Sequence, residues 1–369
     1  MKYYIIAGEA SGDLHASNLM KEIKSLDNIA EFRCWGGDLM REQGGELVMH
    51  YKDIAYMGFV EVLAHMGTIL KNIKFCKKDI LQYKPDALIL LDYPGFNLRI
   101  AEFAKKEGFK VLYYISPQVW AWKQSRVKKI KQIVDRIYVI LPFEKAFYKK
   151  FGYDVDFVGH PLLDAIERSD SESSESFIEK NKLDNKPIIA LVPGSRKQEI
   201  TKMLPVMLTV IPSFKEYQFV IAGSPAVPAE FYQGIIKGSD VKIVYNQTYE
   251  LLRNTHAALV TSGTATLETA LFEVPEVVCY KGTYVSYLIA KSFIKVKFIS
   301  LVNLIMDREI VRELIQKQFN AENLKLELER LISDDEKRTL LFKEYKELKE
   351  KLGGKGASQK TAALMLNRL

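Results

Sequence analysis

Leu259-Val260-Thr261-Ser262-Gly263-Thr264-Ala265-Thr266-Leu267-Glu268 reads as a buried strand, a turn of small residues and the start of a helix. Val260 ends an apolar run, Ser262-Gly263-Thr264 keeps bulk away from the turn, and Leu267 and Leu271 fall on one helical face. Such a turn leaves backbone N–H groups at a helix N-terminus, where an anion such as phosphate binds. A helix capped by its own Ser or Thr is the plainer alternative. Glu268 lies one helical turn beyond Thr264, so its carboxylate is placed to accept hydrogen bonds from ribose hydroxyls. Phosphate contacts with a carboxylate close by are what a nucleoside diphosphate requires.

The same alternation recurs along the chain. Short apolar runs at 3–7, 87–91, 111–115, 137–140 and 156–158, then at 188–192, 218–222, 242–244, 257–260 and 277–280, are separated by helical patterns. This is the mark of parallel sheets with helices on both faces. A chain of 369 residues is long enough for two such cores. The expected architecture is α/β, with two Rossmann-like domains whose parallel sheets face a central cleft. The first spans 1–165, the polar stretch in 166–186 is a linker, and the second spans 187–353, with a last helix at 354–369 packing back on the first. Ligands in this class sit beyond the carboxyl ends of the strands, so the turns there are decisive.

In the first half those turns are acidic. Gly8-Glu9-Ala10-Ser11-Gly12-Asp13 lacks the G-x-G-x-x-G spacing, and Glu9 and Asp13 would repel a pyrophosphate. A dinucleotide-dependent dehydrogenase is therefore rejected. Carboxylates at a strand end suit sugar hydroxyls or proton transfer, although Asp13 as the cap of a helix over 14–24 stands beside that reading. The apolar run 87–91 delivers Asp92 to the rim, either as a general base or as an ordinary turn residue before Pro94-Gly95. Asn97 adds a hydrogen bond there or caps the next helix. His160, between Gly159 and Pro161, is either a titrating group or a hinge. Asp154 and Asp156 have metal-ligand spacing, but their place at a strand entry argues against a metal site.

In the second half the first turn is Val192-Pro193-Gly194-Ser195-Arg196. Arg196 is suited to a bidentate grip on phosphate, with a plain surface arginine as the alternative. Together with Ser262, Gly263 and Thr264 it would neutralise a departing diphosphate without a metal. Cys34, Cys76 and Cys279 are scattered and carry no metal or redox spacing. The net charge of +7 admits an anionic partner. Trp120 and Trp122 beside a basic helix do not amount to a nucleic-acid module, and no nucleic-acid partner is expected.

No apolar run approaches the roughly 18 residues of a membrane span, and the first residues enter a strand directly, so a cytoplasmic protein is expected. A helical pattern over 56–83 carries Met57, Phe59, Val60, Val62, Leu63, Met66, Ile69, Leu70 and Ile73, followed by Lys71, Lys74, Lys77 and Lys78. That is more than one core-facing stripe. It suits docking on an anionic membrane surface, a homodimer interface, or complete burial. A second lysine-punctuated apolar stretch, 280–306, includes Lys291, Lys295 and Lys297.

Several of these stretches together resemble lipid-A-disaccharide synthase, a GT-B-fold inverting glycosyltransferase, over nearly the whole chain. They are 7–13, Ser116-Pro117 with Val119-Trp120-Ala121-Trp122, 141–148, Gly159-His160, 193–196, Ser262-Gly263-Thr264-Ala265 with Leu267-Glu268, and Arg308-Glu309 before Val311. The resemblance implies that UDP-2,3-diacylglucosamine donates its sugar to the 6-hydroxyl of 2,3-diacylglucosamine 1-phosphate, giving a β-1,6 disaccharide and UDP. UDP-sugar is then a substrate, and no cofactor or metal is implied. It implies Asp92 as the base, with Glu9 and Asp13 as competitors or hydroxyl ligands. Gly194, Ser195, Arg196, Ser262, Gly263 and Thr264 would hold UDP, Glu268 its ribose, and Asn303 a phosphate or sugar group. Two departures are local: Tyr93 stands where the family often has Ala, and Lys281 where Arg is frequent and would grip phosphate bidentately. The resemblance also implies a peripheral protein on the inner face of the inner membrane. The rivals are a UDP-N-acetylglucosamine 2-epimerase-like isomerase, which needs no acceptor, and a noncatalytic nucleotide-regulated membrane-binding protein.

Overall fold

The computed structural model describes residues 1–54, 66–122, 124–169, 173–282 and 296–369. The chain divides into two compact units, Met1–Asp164 with Leu352–Leu369, and Ala165–Lys351.

The first unit holds a seven-stranded sheet: β1 Lys2–Ala7, β2 Glu31–Gly36, β3 Glu46–His50, β4 Ala87–Leu91, β5 Lys110–Tyr114, β6 Arg136–Val139 and β7 Asp156–Phe157. Its order is β3-β2-β1-β4-β5-β6-β7, every pair parallel. The order reverses between β1 and β4, where Ala7 is in register with Leu91. All five residues of β4 are fully buried, as a central parallel strand covered on both faces requires. The strand period of two sorts the side chains: Tyr4 and Ile6 enter one core, Tyr3, Ile5 and Ala7 the other. The first core is closed by helices Met66–Tyr83 and Pro94–Lys106, the second by Ala10–Leu26 and the C-terminal helix Ala357–Leu366.

A buried carboxylate links helix to sheet in the first core. Asp79 accepts from Tyr4 Oη at 2.7 Å and from Arg33 Nε and Nη2 at 2.9 and 2.8 Å. Within Met66–Tyr83, Ile73, Cys76 and Ile80 face the core, while Leu70, Phe75 and Leu81 are exposed. The pattern read over 56–83 is therefore only partly a buried helix. Its positions 57, 59, 60, 62 and 63 lie outside the described residues, as do Lys291 and Lys295.

The second unit holds β8 Ile188–Val192, β9 Gln218–Gly223, β10 Lys242–Tyr245, β11 Thr255–Thr261, β12 Glu276–Tyr280 and β13 Arg312–Ile315. The order is β10-β9-β8-β11-β12-β13, again all parallel, and it reverses between β8 and β11, where Val192 is in register with Val260. The range 166–186 holds more structure than a linker does. Ser173 Oγ accepts from Ser176 N at 3.2 Å and starts helix Ser174–Lys180, whose Phe177 is fully buried in the core beneath β8 and β9.

Candidate active site

Both switch points place chemistry-bearing residues at adjacent strand ends. In the first unit the chain leaves β1 through Gly8 and Glu9, and leaves β4 through Asp92 and Tyr93. Asp92 and Tyr93 both adopt the left-handed region, with φ of 41° and 42°, and Ile115, just past β5, does the same at 61°. Each such non-glycine residue costs on the order of 1–3 kcal/mol and persists only where neighbours fix it. They are fixed here. Asn97, fully buried, donates from Nδ2 to the Leu91 and Asp92 carbonyls at 3.0 and 2.9 Å. Tyr113 Oη donates to the Asp92 carbonyl, and Asp92 N donates to the Ile115 carbonyl at 3.3 Å. Burial, and then the charge of Glu9, push the Asp92 carboxyl up to about 6. A carboxylate poised near neutrality is a competent general base.

Tyr93 explains Gly8. A Cβ on Gly8 would lie 2.4 Å from the Tyr93 ring. That ring cannot easily retreat, because Tyr93 Oη donates to the Ile54 carbonyl at 3.0 Å and the ring stacks on Phe96. Gly8→Ala is expected to cost about 1–3 kcal/mol by overpacking and to disturb the Asp92 turn. Urea unfolding checks this, and Tyr93→Ala in the same chain should restore most of the loss.

Asp13 is engaged elsewhere. The helix begins at Ala10, earlier than 14, so Asp13 lies in its first turn. Its carboxylate accepts from Gly37, Leu39 and Met40 N–H groups at 2.8, 3.2 and 3.1 Å. It therefore caps the helix Asp38–Glu42 rather than its own, with its carboxylate committed to three backbone donors. His160 is also committed to structure: it is buried, its N–H donates to the Leu352 carbonyl at 3.0 Å, and its Nδ1 accepts from Leu162 N at 3.3 Å. Burial, and then His15 nearby, push it down to about 3, so it stays neutral. Asp156 is ion-paired with Arg136. Among the described residues no group of three His, Cys, Asp or Glu side chains is arranged to hold a metal.

In the second unit, Gly194-Ser195-Arg196 follows β8 and opens the helix Lys197–Leu208. Gly194 has φ of 109°, a conformation that favours glycine. Ser224 Oγ, at the end of β9, donates to the Ser195 carbonyl at 3.1 Å and steadies the turn. On the neighbouring strand end, Ser262-Gly263 opens the helix Thr264–Leu271, and no side chain caps that start. Gly263 and Thr264 are exposed, and a Cβ on Gly263 would meet nothing within 4 Å. This is the open helix N-terminus that favours an anion. Ser262 is tied more tightly than its sequence suggests: its N–H donates to the Cys279 carbonyl at 3.0 Å and its Oγ to the Ile299 carbonyl at 2.9 Å.

Glu268 is largely buried and receives Tyr249 Oη at 3.3 Å; burial raises its carboxyl above the ordinary range. Asn303, expected on a phosphate or sugar, has its amide fully used. It donates to the Val311 carbonyl and Glu313 Oε1 at 2.8 and 2.9 Å, and accepts from Ile310 and Val311 N–H at 2.7 and 3.0 Å. Its role in this geometry is to hold the return between the helix Leu301–Met306 and β13. Lys281 is exposed just past β12. Sequence reasoning missed Tyr249, Tyr113 and Glu199. Only Glu199 had a local signal, lying three residues after Arg196 at the start of a helix.

Comparison with known proteins bears on the family and the fold. The family model described as lipid-A-disaccharide synthetase matches residues 3–367. A lipid-A-disaccharide synthase of Trichlorobacter lovleyi is 40% identical over 372 residues, covering 98% of this chain and 96% of its own. One from Geobacter metallireducens is 40% identical over 371 residues, covering 99% and 96%. Among solved structures, UDP-GlcNAc 2-epimerase from Neisseria meningitidis, bound to UDP-GlcNAc, shares the fold with a TM-score of 0.69 at 12% identity over 100% of both chains. The two parallel Rossmann-like units are of the GT-B class. The chain belongs to the lipid-A-disaccharide synthase family of glycosyltransferases.

Proposed function

We propose that the protein transfers 2,3-diacylglucosamine from UDP to the 6-hydroxyl of 2,3-diacylglucosamine 1-phosphate, with inversion, releasing UDP and a β-1,6-linked disaccharide 1-phosphate. The observation that carries the mechanism is Asp92: a carboxyl raised by burial to about 6, on a strained strand-end turn beside the start of a neighbouring strand's acidic loop.

Asp92 takes the proton of the acceptor hydroxyl as its oxygen attacks the anomeric carbon, and the bond to the UDP oxygen breaks. Glu9 raises the Asp92 carboxyl and binds sugar hydroxyls; Asp13 shapes the loop. Charge developing on the leaving diphosphate is met by Arg196, the Gly194-Ser195 turn and the helix start at Ser262, Gly263 and Thr264. Lys281 adds a cation near the same strand ends, and Glu268 accepts the ribose hydroxyls. Preorganised donors of this kind are each worth about 3 kcal/mol in the barrier, so the reaction needs no metal or cofactor.

Both substrates carry acyl chains, which suits a protein working at the cytoplasmic face of an anionic membrane. Among the described residues no helix is long and apolar enough to cross one. Helix Met66–Tyr83 instead exposes Leu70, Phe75 and Leu81 beside the exposed Lys71, Lys74 and Lys78. Each lysine near such a surface contributes about 1 kcal/mol. A homodimer through this face is the competing occupant, separated from membrane docking by sedimentation with and without anionic vesicles.

The test is to incubate the pure protein with the UDP-sugar alone, and then with both acylated sugars. UDP should appear only when the acceptor is present, together with a β-1,6 disaccharide identified by its anomeric proton coupling. Consumption of the UDP-sugar without acceptor, by C2 epimerisation, would instead make it an isomerase.

A further inference from the structure

The turn after β8 already holds an anion, and it comes from the chain itself. Glu199 Oε2 accepts from Ser195 N at 3.0 Å and Arg196 N at 3.3 Å, while its Oε1 accepts from Arg196 Nη1 at 3.0 Å. The carboxylate thus bonds two backbone N–H groups and the guanidinium at the mouth of the helix Lys197–Leu208, the contacts a phosphate makes at a helix start. Gly194 permits the closure: a Cβ there would lie 2.5 Å from Glu199 Oε2. The Glu199 side chain is partly exposed, so it can turn out to solvent without unpacking the core.

We propose that Glu199 is a positioning residue that competes with the donor diphosphate for Arg196 and for the Ser195 and Arg196 N–H groups. When the diphosphate binds, Arg196 exchanges the Glu199 carboxylate for phosphate oxygens and Glu199 swings outward. When the sugar has been transferred, the return of Glu199 helps expel UDP. The competition holds UDP affinity below what the bare turn would give, and it keeps the arginine oriented between turnovers. This rests on the reading that Arg196 grips the donor diphosphate.

The ordinary role of such a Glu is a capping box, in which its loss weakens the helix and everything built on it. The two roles predict opposite signs. Glu199→Gln keeps a capping acceptor and removes the charge. It is expected to bind UDP about tenfold more tightly, with slower UDP release in stopped flow. Uridine, which lacks phosphate, should bind as it does to the unaltered protein. In an Arg196→Ala background the gain should shrink to less than half. Glu199→Asp, which keeps the charge, should bind UDP no more tightly than the unaltered protein, and it serves as the second variant should Glu199→Gln melt too low to assay. Unchanged or weaker UDP binding by Glu199→Gln, tighter UDP binding by Glu199→Asp, an equal gain for uridine, or a full gain without Arg196 would each overturn the inference. If Arg196→Ala alone leaves UDP affinity unchanged, the underlying reading of Arg196 fails instead.

Discussion

Replacing Asp92 by Asn is expected to leave the protein folded and its UDP affinity intact, but to lower turnover by about a hundred- to ten-thousand-fold. The turn that presents residue 92 is held through backbone groups: Asn97 and Tyr113 bond the Asp92 carbonyl, and the Asp92 N–H reaches Ile115. None of these contacts uses the carboxylate, and the Tyr93 N–H that the carboxylate accepts can be received by an amide oxygen instead, so the amide variant keeps the geometry. It loses only the capacity to accept a proton. The pH dependence follows with a definite sign. A base acts when ionised, and the Asp92 carboxyl is raised to about 6, first by burial and then by Glu9. In the unaltered enzyme kcat/KM therefore rises with pH through about 6 and levels off above it. Removing the Glu9 charge, as in Glu9→Gln, shifts the rise to lower pH. A kcat/KM profile flat from pH 5 to 8, or near-normal turnover by Asp92→Asn, removes Asp92 from the base role.

Arg196→Ala is expected to weaken UDP binding by roughly tenfold to a hundredfold, the worth of a charge-assisted hydrogen bond or two, and to lower kcat as well. The side chain is about half exposed, at 55% of its accessible surface, so solvent screening keeps the ground-state loss toward the lower figure. The barrier suffers more, because charge develops on the leaving diphosphate as the glycosidic bond breaks and a preorganised cation counts most then. Arg196→Lys keeps the charge and loses the fork, so it should recover binding better than rate. Isothermal titration with UDP, paired with single-turnover rates, separates the two effects. The prediction concerns Arg196 as it stands, already paired with Glu199, and so includes the loss of that pair.

The central strands were legible because a parallel strand covered on both faces has to be an uninterrupted apolar run, as 87–91 and 188–192 are; β2, β3 and β13, whose sequences mix charged and apolar residues, were not among the runs read. The strand-end turns were legible for the same reason, since small residues and glycines must follow such a run before a helix can start. What escaped is whatever depends on a partner far along the chain. Asp13 reads as a cap for its own helix, but its three donors come from 37–40, brought beside it by the pairing of β1 with β2. The family resemblance implies Asn303 as a ligand of a phosphate or sugar group. Its partners are the carbonyl and N–H groups of 310–311 and the Glu313 carboxylate, which only the return into β13 brings within reach. The stretch around 173–180 reads as solvated because most of it is; one phenylalanine, Phe177, draws it onto the second core. Tyr93, a local departure from the family pattern, fills with its ring the space left by the missing side chain of Gly8, a pairing that only the approach of β1 to β4 creates.

Proton transfer at the turn after β4 and a diphosphate grip at the turns after β8 and β11 are separable by substitution. Calorimetric titration of UDP into the Asp92→Asn and Arg196→Ala proteins tests that division most directly. The expected result is an unchanged dissociation constant for Asp92→Asn, with turnover nearly abolished, and a dissociation constant raised at least tenfold for Arg196→Ala. Weakened UDP binding by Asp92→Asn, or unaltered binding by Arg196→Ala, would contradict it.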